Sequence, residues 1–197
     1  MTLRGHPISV VRDLVAMHGD DLMFQFSIYF HRPQSVLDER EEFVVAGHMV
    51  TEDWYLKEVE KLPKGWELAL GSRVKDARGR HWQIPMADLV ANQIDEQSFS
   101  VLKQVVPPTL WRSAALFDSG RSFHMYFRRL IRKGDWPGFM GRLLLANLPG
   151  RGQIIDSRWI GHRLLGGYGA LRWSANSAFH ARCPVRVPLP GEVGWDK

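Results

Sequence analysis

Apolar residues recur along this chain with two periods, and the change from one to the other marks out its elements. Ile8, Val11, Leu14 and Val15 share one helical face within residues 7–17, and Gly19 closes that helix. Residues 22–30 alternate and are rich in aromatics, which predicts a strand ended by Pro33. Phe43-Val44-Val45, within residues 40–49, predicts a second short strand. Thr51 is placed to cap a helix over residues 52–60, because its hydroxyl can accept an orphan N–H of the first turn; Pro63 and Gly65 close it.

The second half continues in the same mixture. Residues 66–74, the polar tract 75–80 and residues 81–88 predict strand, turn and strand. Phe99, Leu102 and Val105 fall at helical spacing within residues 98–106, ended by Pro107-Pro108. Residues 113–117 and 123–127 predict two strands around a Ser-Gly turn, and residues 136–148 a helix. Gly150-Arg151-Gly152 leads into a predicted short strand, 153–155. Asp156-Ser157 then opens a helix that stops at Gly166-Gly167, and residues 170–173 and 184–187 are strand-like. The order is α+β without regular βαβ alternation, internal repeat or long linker.

Composition adds bounds. The chain has 197 residues, 45% of them hydrophobic, enough for one well-packed domain. It contains no apolar run near the ~20 residues of a membrane span. Arg4, Arg12 and Asp13 interrupt the first apolar pieces, so no signal peptide is expected. Cys183 is the sole cysteine, which excludes an internal disulfide and fits a cytoplasmic setting. Charge is uneven: residues 101–197 carry 15 Lys and Arg against 5 Asp and Glu, whereas residues 1–100 carry 11 against 16. The basic set is mostly arginine, whose planar fork suits phosphate, so a polyanion partner is expected; a solvated basic face is the alternative.

Chemistry concentrates around Asp118-Ser119-Gly120-Arg121-Ser122-Phe123-His124, a tight turn between two apolar strands that brings a hydroxyl and an imidazole together. Three further pieces accompany it: a strand ending in Asp88, the triplet Ile154-Ile155-Asp156, and Ala170-Leu171-Arg172-Trp173-Ser174-Ala175-Asn176 followed by Val185-Arg186-Val187. In this order, over roughly residues 66–190, they resemble the Asp-x-Asp, Ser-x-His, hydrophobic-Asp and Leu-Arg-x-x-x-x-Asn elements of the archaeo-eukaryotic primase (primase-polymerase) superfamily.

The resemblance implies a primase-polymerase-type α+β fold: an N-terminal αβ lobe, residues 1–65, packed with an RRM-like antiparallel lobe, residues 66–197, that carries the motifs. It implies nucleotidyl transfer with Mg²⁺ or Mn²⁺. Asp88 and Asp156 would be the catalytic metal ligands, Ser122, His124 and Arg172 the phosphate contacts, and Arg121 and Asn176 supporting residues. The implied partners are nucleic acid and nucleoside triphosphate, without a membrane. Two departures are visible. The superfamily places two carboxylates at i and i+2 on one sheet face, but Met86 and Val90 flank Asp88, and Asp118 is the nearest substitute. Where a Lys commonly follows the Asn, this chain has Ala178, with His180 beyond.

Each residue also has a plainer reading. Asp88 could close its strand and Asp156 cap its helix; His124 could be a satisfied core histidine, Arg172 one half of an ion pair, and Asn176 a loop-shaping residue. No zinc spacing, Walker loop, dinucleotide fingerprint or hydrolase elbow is present. Three readings follow: a divergent primase or polymerase, a degenerate primase fold that binds nucleotide or nucleic acid in a replication or defence complex, and a subunit whose missing acidic ligand comes from a protein partner.

Overall fold

The computed structural model describes residues 3–32, 35, 37–90 and 95–190. Helix α1 (Ile8–His18) precedes strands β1 (Met23–Phe30) and β2 (Glu41–Ala46), and α2 (Glu52–Glu60) follows. Strands β3 (Trp66–Lys75), β4 (His81–Gln83) and β5 (Met86–Leu89) come next, then α3 (Glu96–Val105) and α4 (Pro108–Trp111). The hairpin β6 (Ala114–Asp118) and β7 (Phe123–Phe127) leads through β8 (Ile131–Arg132) to α5 (Trp136–Leu144) and α6 (Ser157–Gly166). β9 (Ala170–Arg172) and β10 (Val185–Val187) complete the order. Thr51 caps α2 as its position predicts, accepting the Trp54 N–H at 3.1 Å. No helix among the described residues is long and apolar enough to cross a membrane.

The strands form two antiparallel sheets. The first runs β2-β1-β3-β4-β8, with β9 also paired to β3; the second runs β10-β6-β7-β5. The first sheet crosses residue 65, the expected lobe boundary, because β3 pairs along β1 from Phe30↔Trp66 to Met23↔Lys75. The far edge of β3 is divided: Ala69–Gly71 faces β9, and Arg73–Lys75 faces β4.

Three expected elements are corrected. Residues 81–88 read as one strand but are two, β4 and β5, in different sheets. Pro85 has no N–H with which to continue the ladder. Ile84 N–H still reaches Ser72 of the first sheet at 2.7 Å, while the Pro85 carbonyl accepts from Phe127 of the second at 3.0 Å. Residues 153–155 form a single bridge, Leu89↔Ile155, in place of a strand. The Asn147 amide takes the place of a neighbouring strand there: its oxygen accepts the N–H of Ile154 and of Ile155, both at 2.9 Å, and its nitrogen donates to the Ile155 carbonyl. Helix α5 stops at Leu144, and residues 145–147 continue as tight turns.

The second sheet is covered on both faces. Ala115, Phe117 and Tyr126 join a core with Phe24, Phe26 and Trp173 of the first-sheet side. Leu116, Met125 and Phe127 face the opposite core, with Leu102, Phe139 and Leu143 of α3 and α5. Alternation along β5 puts Met86 on the first face and Ala87 and Leu89 on the second, so Asp88 projects toward the first sheet, as His124 does beside Tyr126.

Candidate functional site

Asp88 and His124 line a cleft of about 450 Å³ whose lining draws on strands of both sheets. Its walls include the end of β1, the start of β3, the β6–β7 turn, the start of α6 and β9. Asp88 and His124 are direct register partners on β5 and β7, with His124 Nε2 3.9 Å from Asp88 Oδ1. The pair is not an ion pair. Burial, then the positive charges of Arg172 and His180, hold the His124 imidazole well below its ordinary range, so it is neutral. Among the described residues its buried Nδ1 has no hydrogen-bond partner.

Asp156 joins them through the backbone. The Leu89↔Ile155 bridge is extended by an Asp156 N–H to Asp88 carbonyl bond of 3.0 Å. Burial, and after it the neighbouring Asp156 carboxylate, raise Asp88 to about 8, with Arg172 pulling the other way. Asp156 is also the N-cap of α6: its Oδ1 accepts the N–H of Arg158 at 2.8 Å and of Trp159 at 3.0 Å. Both readings of this residue are therefore structurally available, since the cap uses only one of its oxygens.

The Ser-Gly turn is fixed from two sides. Gly120 has φ +97°, a conformation that side chains resist. Its N–H donates to Asp118 Oδ1 at 2.7 Å, and Ser119 N–H and Oγ both reach the Ser122 carbonyl at 2.9 Å. The Ser122 hydroxyl lies 3.2 Å from Ser119 Oγ, and the exposed Arg121 stands at the tip. Asp118 is bound to Arg182 at 2.6 Å and is not among the residues of the cleft, so it does not stand in for the missing carboxylate. Arg172 is buried, and its guanidinium donates to the carbonyls of Ser119 at 2.6 Å, Arg182 at 3.2 Å and Ser174. It clamps the turn to β9 and brings a fixed positive charge to Asp88. Asn176 shapes the loop after β9, donating to the carbonyls of Pro63 and Trp66.

The cleft thus brings together Asp88, Asp156, Ser122, His124, Arg121 and Arg172, while Asn176 stands outside its lining. Sequence reasoning missed two groups. Glu67, fully buried at the start of β3, accepts from Ser174, Asn176, Ser177 and His180, and so sets the loop that puts His180 into the cleft. A carboxylate inside an apolar strand run was its only signal. Asp38, Arg40 and Arg163 form a second cluster in the lining of the same cleft.

A divalent ion has donors here. Hard cations take carboxylate oxygens, and Asp88, raised by burial and by Asp156 in spite of Arg172, belongs to an acidic pair that a cation would relieve. Among the described residues no three His, Cys, Asp or Glu side chains converge as a metal site. The two carboxylates could supply protein donors for at most one ion, completed by substrate oxygens and water, and fall short of two.

A family model described as archaeo-eukaryotic primase 1D-like (AEP-like) matches residues 46–185, most of the chain and all four motif elements. The chain belongs to the archaeo-eukaryotic primase-like family. No curated protein and no solved structure gives a significant match to this family member.

Proposed function

We propose that the cleft is a primase-type nucleotidyl-transfer site that joins a nucleoside triphosphate to a nucleic-acid strand, with one Mg²⁺ or Mn²⁺ held by Asp88 and Asp156. What supports this reading is the convergence of the Asp88–Asp156 pair with the Ser122–His124 turn on a single cleft inside the family-matched region. The motif-bearing sheet β10-β6-β7-β5 is taken as the counterpart of the family's RRM-like sheet.

In the transfer, the 3′ oxygen of the strand bonds to the α-phosphorus as the α–β P–O bond breaks. Pyrophosphate leaves with that electron pair, and the hydroxyl proton passes to water. The bound cation would offset the negative charge that gathers on the phosphates. Ser122 and the neutral His124 supply hydrogen bonds to phosphate oxygens rather than charge. Arg172 holds the turn in position through Ser119, and Arg121 offers a cation at its tip.

Two-metal catalysis lacks a ligand here. Losing several kcal/mol of charge stabilisation corresponds to roughly two or more decades of rate. A second reading, nucleotide binding without transfer, is favoured by Met86, whose fully buried side chain fills the position of the absent carboxylate.

The test is Mn²⁺-dependent incorporation of a labelled nucleotide into primed and unprimed strands, with Asp156→Asn as the variant. Asn keeps the α6 cap while removing the charge. Incorporation should fall at least about tenfold, the equivalent of ~1.4 kcal/mol. Full activity in the variant would remove Asp156 from the site. Wild-type protein that binds nucleotide yet incorporates none selects the second reading.

A further inference from the structure

Away from the Ser-Gly turn in sequence, the lining of the cleft holds an imbalance of charge. Arg163 on α6 is 2% exposed at its side chain, and Arg40 is 9% exposed. Both bond one carboxylate, Asp38: Arg40 Nε lies 2.9 and 3.0 Å from its two oxygens, and Arg163 donates to the same group. The Arg163 guanidinium also meets Tyr168, but among the described residues its Nε and Nη1 are buried with no hydrogen-bond partner. Two nearly buried guanidiniums thus share a single anion, and unmade hydrogen bonds to a buried cation are costly.

Among the described residues, Glu42 also acts on Arg40, but it is shared with other partners. Arg40 stacks over Tyr29 at 4.0 Å and Arg163 lies over Tyr168 at 5.5 Å, but burial raises both phenols, so they stay neutral. Glu42 is engaged by Arg73 at 3.3 Å and by Tyr168. A guanidinium pair that shares one carboxylate and leaves two Arg163 nitrogens unpartnered matches the oxygens of a phosphate. The same cleft is lined by Phe30, which is 46% exposed, and Trp66, with Arg32 5.9 Å over the Phe30 ring. Aromatic faces beside a basic groove are what unpaired bases stack on.

We infer that Arg40 and Arg163 form an anion subsite that takes a backbone phosphate of a single-stranded nucleic acid, with Asp38 as the internal anion that this phosphate displaces. The inference rests on the proposed reading only in taking a strand as the ligand. It divides the cleft: the Ser122–His124 turn receives the nucleotide, and the arginine pair receives the strand. Asp38 then sets affinity, because the strand must compete with it.

The test is fluorescence anisotropy of a labelled oligothymidylate with EDTA present and no nucleotide, so the result does not depend on whether the chain transfers nucleotides. Asp38→Asn should tighten binding about three- to tenfold, since it removes a competing charge. Arg163→Gln should weaken it at least about threefold and lower the magnitude of the salt slope by about 0.7, the value of one single-strand phosphate contact. If Arg163→Gln does not fold, Asp38→Asn alone decides. Weaker or unchanged affinity in Asp38→Asn overturns the inference. So does a gain seen only with tripolyphosphate, which would assign the subsite to a nucleotide's phosphate tail.

Discussion

Replacing Asp88 with Asn should lower Mn²⁺-dependent incorporation at least about 100-fold, the equivalent of ~2.7 kcal/mol, while making the metal-free protein more stable at alkaline pH. Both effects have one cause. Burial first, and Asp156 second, raise Asp88 to about 8, so the fold holds this carboxyl protonated where an unfolded chain ionises it near 4. A raised acid favours the folded state at low pH. That advantage is complete below about pH 4 and is lost progressively as pH rises toward 8, because over this range the native state alone keeps the proton. Asn carries no such penalty, so the stability gap between variant and wild type should widen from pH 4 to 8 and then level. The gap should be on the order of a few kcal/mol, reduced because the side chain is a quarter exposed.

Metal binding should show the same titration from the other side. The cation needs the carboxylate, so wild-type Mn²⁺ affinity should rise about tenfold per pH unit up to 8 and flatten above it. His124 is neutral over this range and adds no slope of its own. Calorimetric titration and thermal melts at pH 6, 7, 8 and 9 would read both limbs. Incorporation by Asp88→Asn within threefold of wild type, or Mn²⁺ affinity flat from pH 6 to 9, contradicts the assignment.

The elements that sequence made legible were those whose signals are local. β1, the Thr51-capped α2 and the β6–β7 hairpin follow from alternation, a cap residue and a turn. The two-sheet arrangement did not follow, because the break between β4 and β5 is set by which distant carbonyl or N–H meets Ile84, Pro85 and Phe127. The bridge at Ile155 depends likewise on the Asn147 side chain, which no periodicity marks. For the site, Asp88, Asp156, Ser122 and His124 were readable as a set because motif order survives in sequence. Arg172 was readable as a cation but not as a clamp, since its three carbonyl partners come from separate loops. The Asp38–Arg40–Arg163 cluster was invisible, as it joins the β1–β2 connection to α6 across more than a hundred residues.

Glu67 should carry a large stability effect for a polar side chain, because it is fully buried and heavily hydrogen-bonded. Its two oxygens accept from the backbone N–H of Asn176 and Ser177, at 3.1 and 3.0 Å, from Ser177 Oγ at 2.7 Å, from His180 Nδ1 at 2.8 Å and from Ser174 Oγ. Burial alone would push this carboxyl up. The hydrogen bonds from His180, Ser174, Ser177 and Asn176 outweigh it and hold the group at about 2. A depressed acid stabilises the fold above its unfolded value, so the contribution is complete above about pH 4.5 and is lost as pH falls toward 2. The difference corresponds to roughly 3 kcal/mol at neutral pH.

Glu67→Gln should remove most of this, because one face of the amide presents N–H groups to donors that need an acceptor. The expected loss is about 3 kcal/mol, or roughly 6–12 °C in melting temperature for a chain of this size. The variant should also lose the wild type's decline between pH 4.5 and 2. Function should follow stability here: Ser174, whose carbonyl receives Arg172, and His180, which lines the cleft, both hang on Glu67. With that loop released, Arg172 loses an anchor and the Ser-Gly turn loses its fixed position, so nucleotide affinity should fall even at temperatures where the variant stays folded. A variant that melts within about 2 °C of wild type, a change equivalent to less than ~1 kcal/mol, and keeps the same acid limb would show that Glu67 is a bystander in the loop.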